Sequence, residues 1–333
     1  MLKKAEQNET VTVVMPCYNS MPFLPAAVES IVNQTLQSWR LVVINDGSTD
    51  GTREYLESLT DDRIFVLHQE NTGLSHSLNR GLQHCDSEFI ARMDGDDCSL
   101  PDRLEKQLAF LQSNPDVGLV GTQIQRVGMR RSDTGSSLPT SHDEIVSALM
   151  CGGHALCHPT IMCRKSVFDE VGEYQTGLGE EWDIFLRFGE VSKLANLSEC
   201  LLKYRFHGSS INGSRMRELR RGIRFACESS RRRKAAEPAI SYDQFIELEK
   251  NAPLLQRIQR NTEDYSRASY HAAMADILGN HRLRGFAKLG VAAVSAPQLA
   301  FHRIHRKLSG PKSARKKTAQ NPGVVQPVSN KTS

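Results

Sequence analysis

Three aspartates crowd into four residues of the stretch SEFIARMDGDDCSLPDRLEKQ: Asp94, Asp96 and Asp97. They follow a short apolar run, and Pro101 just beyond reads as the first residue of a helix. Carboxylates this close repel one another, so the loop requires a compensating cation. Hard oxygen ligands at a strand end suit Mg2+ or Mn2+, and such an ion beside a diphosphate makes the diphosphate easier to expel. A second reading is an acidic surface turn whose aspartates favour the start of the following helix.

Two further constellations carry side chains able to do chemistry. VVINDGSTDGT places Asp46 at a strand end with Gly47 and Ser48 behind it. A carboxylate there can accept from a nucleobase N–H, and glycine allows a ligand close to the backbone. Taken alone, the same residues read first as a turn that caps the next helix. CGGHALCHPTIMC has the ligand types for zinc in Cys151, His154, Cys157, His158 and Cys163, but its cysteine spacing is not that of the tight knuckles of structural zinc sites.

These residues must be positioned by the elements around them. Strand-like runs at 10–16, 40–46, 63–69, 88–94 and 117–124 alternate with helix-like stretches at 22–36, 50–59, 73–84 and 101–113. The strand runs lack clear period-two alternation, as expected of strands buried on both faces. An α/β fold follows, with a mainly parallel central sheet flanked by helices. The loops CYNS, DGSTDG, NTGLS and DGDD then fall at the carboxyl ends of strands, where open sheets of this kind bind ligands. Further on, helices are expected at 142–151 and 180–190, a strand at 159–163, and strands through KLANLSECLLKYRF.

Charge divides the 333 residues into unlike parts. Residues 1–213 hold 18 Lys+Arg against 29 Asp+Glu, whereas residues 214–333 hold 24 against 9, and the whole chain carries +4. No acidic residue follows Asp276. Residues 214–308 read as a helical basic extension and 309–333 as a disordered tail rich in Pro, Ser, Lys and Gln. Basic residues without interleaved aromatics or a known motif argue against nucleic acid. Two readings of the extension remain: a solvated helical face, or docking on an anionic membrane surface through HRLRGFAKLGVAAVSAPQLAFHRIHRKL. The uncharged run 289–302 is broken by Pro297 and is too short to span a bilayer. The eight cysteines show no framework spacing and the polar start shows no leader, so reduced thiols and a cytoplasmic location are expected, peripheral on the inner membrane face if the extension docks.

VTVVMPCYNS, VVINDGSTDGT, NTGLSHSLNRGL and FIARMDGDDCSLPDRLEKQ stand in the order and spacing typical of the family 2 glycosyltransferases of GT-A fold. HPTIMCRKSVFDEVGEY, GEEWDIFLRF and YRFHGSSIN look like the later segments of that family. The resemblance runs from about residue 10 to 213, dividing into a nucleotide-sugar half (10–124) and an acceptor half (125–213), with 1–9 as an N-terminal tail. It implies an inverting transferase that takes a nucleoside-diphosphate sugar, UDP-linked by expectation, uses Mn2+ or Mg2+, and serves a saccharide or lipid-linked acceptor in cell-surface polysaccharide synthesis.

Carried over position by position, the resemblance puts Tyr18 and Asp46 at the base, and Asp94 and Asp96 near the ribose and metal. Pro16, Asn19, Gly47, Ser48, Gly73 and Asn79 complete the implied nucleotide set, and Asp96, Asp97 and His207 the metal set. Glu181 matches the catalytic base, with Glu180 and Asp183 in reserve, while His158 and Trp182 fall on the acceptor side. Two positions depart from the family pattern. Asn45 replaces a second aspartate, a mild change; Glu181 replaces the usual aspartate, and its extra methylene shifts the carboxylate unless the backbone compensates. The competing function classes are a catalytically silent sugar-nucleotide-binding scaffold subunit, and a sugar-nucleotide pyrophosphorylase, which PCYNSMPFLP disfavours because it is not a Gly-rich phosphate loop.

Overall fold

A computed structural model describes residues 9–128, 137–177, 179–205, 213–278 and 281–297. The first half runs β1 (Val11–Cys17), α1 (Leu24–Val32), β2 (Trp39–Asp46), α2 (Thr52–Glu57), β3 (Ile64–Gln69), α3 (Leu74–Leu82), β4 (Phe89–Arg92), β5 (Cys98–Ser99), α4 (Arg103–Ser113) and β6 (Val117–Val127). Then come α5 (His142–Met150), a 3-10 turn at His158–Thr160, β7 (Met162–Arg164), α6 (Lys165–Val171), α7 (Glu180–Val191) and β8 (Lys193–Arg205). Among the described residues four helices follow: α8 (Gly213–Lys234), α9 (Tyr242–Lys250), α10 (Leu254–Leu278) and α11 (Arg282–Ser295).

One eight-stranded sheet has the order β3-β2-β1-β4-β7-β6-β8-β5. Its β3-β2-β1-β4 half is parallel, as the alternation of runs predicts. β7 then enters antiparallel between β4 and β6, and the two-residue β5 pairs antiparallel with β8. Of the stretch expected as several strands, KLANLSECLLKYRF, Lys193–Arg205 form one long strand parallel to β6, with register shifts near Thr122 and Gln123. α6 was not foreseen, being only seven residues long in a segment without clear periodicity.

Both sheet faces are covered, which explains the missing alternation. Val13, Met15, Leu41 and Val43 pack with Leu24, Ile31, Leu104 and Leu111 of α1 and α4. The intervening Val14, Val42 and Ile44 pack with Leu78, Leu149 and Phe185 of α3, α5 and α7. Successive side chains point to opposite faces, so a strand buried on both must be apolar throughout. α3 lies so close that a Cβ on Gly81 would meet Ile44 Cδ1 at 2.6 Å and Val14 Cγ1 at 2.7 Å.

Behind this sheet α8 lies along α7, and α10 packs on both α8 and α11. Arg224 of α8 ties the helices together, donating to Glu249 at 2.6 Å and to Asp264 at 2.9 Å. No helix among the described residues is long and apolar enough to cross a membrane.

Candidate active site

The carboxyl ends of β1, β2 and β4 open on the same edge of the sheet, with the N-terminus of α7 and the end of β8 beside them. β4 delivers the acidic loop there. One oxygen from each of Asp94, Asp96 and Asp97 lies within 4.8 Å of the others. Arg92, two residues before the loop and buried, pairs through Nη2 with Asp94 Oδ1 at 2.5 Å. Arg103 sits beneath, fully buried, donating to the Arg92 carbonyl at 2.7 Å and to Ser99 Oγ at 2.9 Å. The opening of α4 is therefore anchored to the strand that carries the acids.

Arg92 answers only part of the charge. Asp97 is 1% exposed; its Oδ1 accepts from the Arg205 backbone N–H at 2.8 Å, while Oδ2 has no hydrogen-bond partner among the described residues. Burial, then Asp94 and Asp96, push its carboxyl well above the usual range. The Asp94 carboxyl is raised too, because burial outweighs the attraction of Arg92. An orphaned buried oxygen among three mutually repelling carboxylates is the donor set that a hard divalent cation satisfies, so the residues fit the expected metal.

The loops that follow β1 and β2 interlock. Asn19, in the left-handed region at φ 48°, accepts through Oδ1 from Thr49 N–H at 2.8 Å, and its own N–H donates to Ser48 Oγ at 3.0 Å. Tyr18 stands half exposed at the mouth, and Pro16 is buried in β1 opposite Ile44. Asp46 is buried and accepts through Oδ1 from Thr72 N–H at 2.9 Å and through Oδ2 from Gly73 N–H at 2.9 Å. It thus holds the turn into α3, and its Oδ2 keeps capacity for one more donor. Gly47, at φ 74°, passes so near Asn71 N that an added Cβ would stand 2.7 Å away.

Glu180 and Glu181 open α7 at the same edge. The Glu181 side chain is 24% exposed, enough for an incoming hydroxyl to reach it. Burial, then Glu180, push its carboxyl up to about 8, with Arg92 pulling the other way and Asp94 adding to the rise. That places the group where a general base works best near neutral pH. Behind it His158 Nδ1 lies 3.7 Å from Glu181 Oε2, and His158 Nε2 lies 2.9 Å from the Tyr174 hydroxyl. Burial, then Arg92, hold His158 neutral, well below its ordinary range.

Several expected residues stand elsewhere than the resemblance placed them. His158 is 4% exposed and buttresses Glu181, so it offers no face to an acceptor. Trp182 is 2% exposed, one position further round α7, and packs into the core edge-on to His154 at 5.0 Å. Asn79 spends its amide on the Tyr174 backbone, donating to the carbonyl and accepting from the N–H, both at 2.9 Å. Asp183 turns to Arg187 at 2.9 Å, with Arg233 of α8 3.9 Å away, and is no alternative base. His207 and residues 309–333 lie outside the described residues. The residues sequence reasoning missed are Arg92, Arg103, Tyr174 and Arg205. Arg92 had a signal, since an arginine inside an apolar strand two positions before an aspartate needs a partner.

The entry to α7 depends on α8. Gly179 sits at φ 91°, and a Cβ there would meet Gly222 C and Ile223 N of α8, both at 2.8 Å. Glu190, on the same helix as Glu181, is held by Ser230 Oγ at 2.6 Å and Arg233 Nε at 2.7 Å. Gly179→Ala is expected to cost about 1–3 kcal/mol of stability from strain and overlap. It is also expected to lower kcat more than tenfold with a smaller change in KM, because Glu181 moves while the loops after β1 and β2 stay. Thermal melts beside steady-state kinetics measure both.

With this geometry in place, comparison with known proteins is informative. Residues 12–172 match the Glycosyl transferase family 2. EpsE of Bacillus subtilis (strain 168), which carries a glycosyltransferase name, is 36% identical over 207 residues, covering 59% of this chain and 72% of EpsE. The O-antigen biosynthesis glycosyltransferase WbnJ of Escherichia coli is 32% identical over 213 residues, covering 62% and 83%. Among solved structures, S. aureus TarS 1–349 in complex with UDP-GlcNAc superposes with a TM-score of 0.52 at 13% identity, covering 88% of this chain and 92% of that one. The mannosyltransferase PcManGT from Pyrobaculum calidifontis, in complex with GDP-Man and Mn2+, gives 0.50 at 18% identity, covering 91% and 81%. At such identities the two structures speak for the GT-A fold alone, whereas the sequence relatives, matched over most of their own length, carry the assignment: the chain belongs to glycosyl transferase family 2.

Proposed function

We propose that this glycosyltransferase is an inverting, metal-using enzyme that takes a UDP-linked sugar and transfers it to a hydroxyl of a saccharide or lipid-linked acceptor in cell-surface polysaccharide synthesis. The observation that carries the reading is the meeting of Glu181 with the acidic loop. Separated by more than eighty residues, they come within electrostatic reach of each other and of the buried Arg92. The neighbours' ligands, UDP-GlcNAc and GDP-Man with Mn2+, are consistent with a nucleoside-diphosphate-sugar donor, and the name of WbnJ with such a pathway.

Asp96 and Asp97, with Asp94 on the ribose side, would hold Mn2+ or Mg2+, which supplies positive charge against the departing diphosphate. Tyr18 and Asp46 receive the base, and Gly47 and Gly73 allow close backbone approach. Glu181 takes the proton of the acceptor hydroxyl as its oxygen attacks the anomeric carbon from the face opposite the diphosphate. The bond from that carbon to the diphosphate oxygen breaks and the configuration inverts, so an α-linked donor gives a β-glycoside. His158, neutral and hydrogen-bonded to Tyr174, packs behind the base.

The test is donor consumption and nucleotide binding by the full chain across UDP-, GDP- and dTDP-sugars with Mn2+, Mg2+ or EDTA. Consumption of a UDP-sugar only with metal is the expected result. Nucleotide binding without turnover, even with crude glycolipid acceptors, would favour the silent scaffold instead.

A further inference from the structure

α11 has two unlike sides. Its inner side meets α10: Gly285 lies so near that a Cβ would stand 2.5 Å from Ile277 Cγ1, Ala292 is buried with its carbonyl accepting from Ser266 Oγ at 2.7 Å, and Lys288 pairs with Asp276 at 2.7 Å. The opposite side carries Leu283, Ala287, Gly290 and Val294, spaced four, three and four apart, so they form one stripe along the helix. Leu283 is 89% exposed and Val294 83%, and Phe286 beside the stripe is 59% exposed. Arg282 flanks one edge of this stripe and Arg284 the other. Both are exposed and neither makes an ion pair with another described residue.

We infer that α11 docks on an anionic lipid surface, with Leu283, Phe286 and Val294 entering the headgroup boundary and Arg282 and Arg284 reaching the lipid phosphates. Charge selects this occupant. From residue 277 to the end the sequence holds 11 Lys+Arg and no Asp or Glu, so this stretch brings no carboxylate to repel an anionic surface. An apolar stripe between arginines that can snorkel is the arrangement of a helix lying in the membrane interface. This inference concerns where the chain sits and does not depend on the proposed reaction.

Flotation of the full chain with vesicles of phosphatidylcholine alone, or with about 30% phosphatidylglycerol, tests it. Binding to the anionic vesicles is expected, with at least a tenfold loss in about 0.5 M salt. The double variant Leu283→Ser/Phe286→Ser, and separately Arg282→Glu/Arg284→Glu, should each weaken binding tenfold or more, with unchanged melting because all four side chains are exposed. A charge reversal outside the extension, Arg53→Glu on α2, should bind as the parent does. Four results would overturn the inference: no binding to anionic vesicles, undiminished binding by the serine variant, equal loss in Arg53→Glu, or a concentration-dependent dimer that the serine variant breaks. UDP-sugar turnover with a soluble acceptor, measured on the same samples, keeps the two proposals apart. An active protein that ignores vesicles sinks the docking alone, and an inactive one that binds them sinks the reaction alone.

Discussion

Glu181→Gln is expected to bind nucleoside diphosphate as the parent does and to transfer sugar two to four orders of magnitude more slowly. The amide has almost the volume of the acid and keeps its contacts, but it cannot take a proton, and general-base assistance contributes about 10²- to 10⁴-fold. Calorimetric titration with UDP beside turnover separates the two effects. The parent supplies an independent signature. Burial and Glu180 raise the Glu181 carboxyl to about 8, so the fraction in the working, ionised form increases with pH, and kcat/KM should rise through that region and level off above it. A divalent cation beside Asp94 favours the ionised form, so raising the metal concentration should move the rise to lower pH. Folding responds with the opposite sign. A carboxyl raised by burial favours the protonated native state, so its contribution to stability is lost as pH climbs from its unfolded value toward 8. The glutamine variant lacks that loss and should melt no lower than the parent at alkaline pH. A variant that loses nucleotide binding or melts early would point to a structural role for Glu181.

Asp97→Asn should have two effects of opposite kind: it should cripple metal-dependent turnover while raising the melting temperature of the metal-free protein. Asp97 is buried, one of its oxygens has no partner, and Asp94 and Asp96 stand beside it, so ionising it costs folding energy at neutral pH. Asparagine removes the charge, and its oxygen can still accept from the Arg205 N–H. A gain of about 1 kcal/mol would appear as roughly 2 °C in a chain of this size. Activity should fall by about 10³-fold, since charge stabilisation of the leaving group is the largest contribution to such a reaction. Calorimetry without metal and turnover with Mn2+ give the two readouts. If the variant is destabilised, the acids are held by protein contacts alone, and the argument for a cation fails. A site that trades folding stability for charge is common where function requires it.

Much of this was legible along the chain. The parallel strands betrayed themselves as apolar runs without alternation, and polar loops after each of them marked one edge of the sheet. The crowding of Asp94, Asp96 and Asp97 announced a need for positive charge, because repulsion between adjacent carboxylates depends only on their separation and not on the rest of the fold.

Distance in space was not legible. Whether Glu180, Glu181 or Asp183 faces the acids depends on how α7 is rotated, and that rotation is set by core packing of Trp182 and Phe185 and by α8 against Gly179. The same rotation buries Trp182, which a linear match had placed beside the acceptor. His158 and Asn79 matched family segments, yet tertiary contacts turn both toward Tyr174, making them braces for the site instead of its surface. Residue types and local spacing thus settled the chemistry on offer. Which carboxylate is raised toward neutrality, and which arginine answers the acids, depended on burial and on long-range neighbours. Those quantities exist only once the chain has closed on itself.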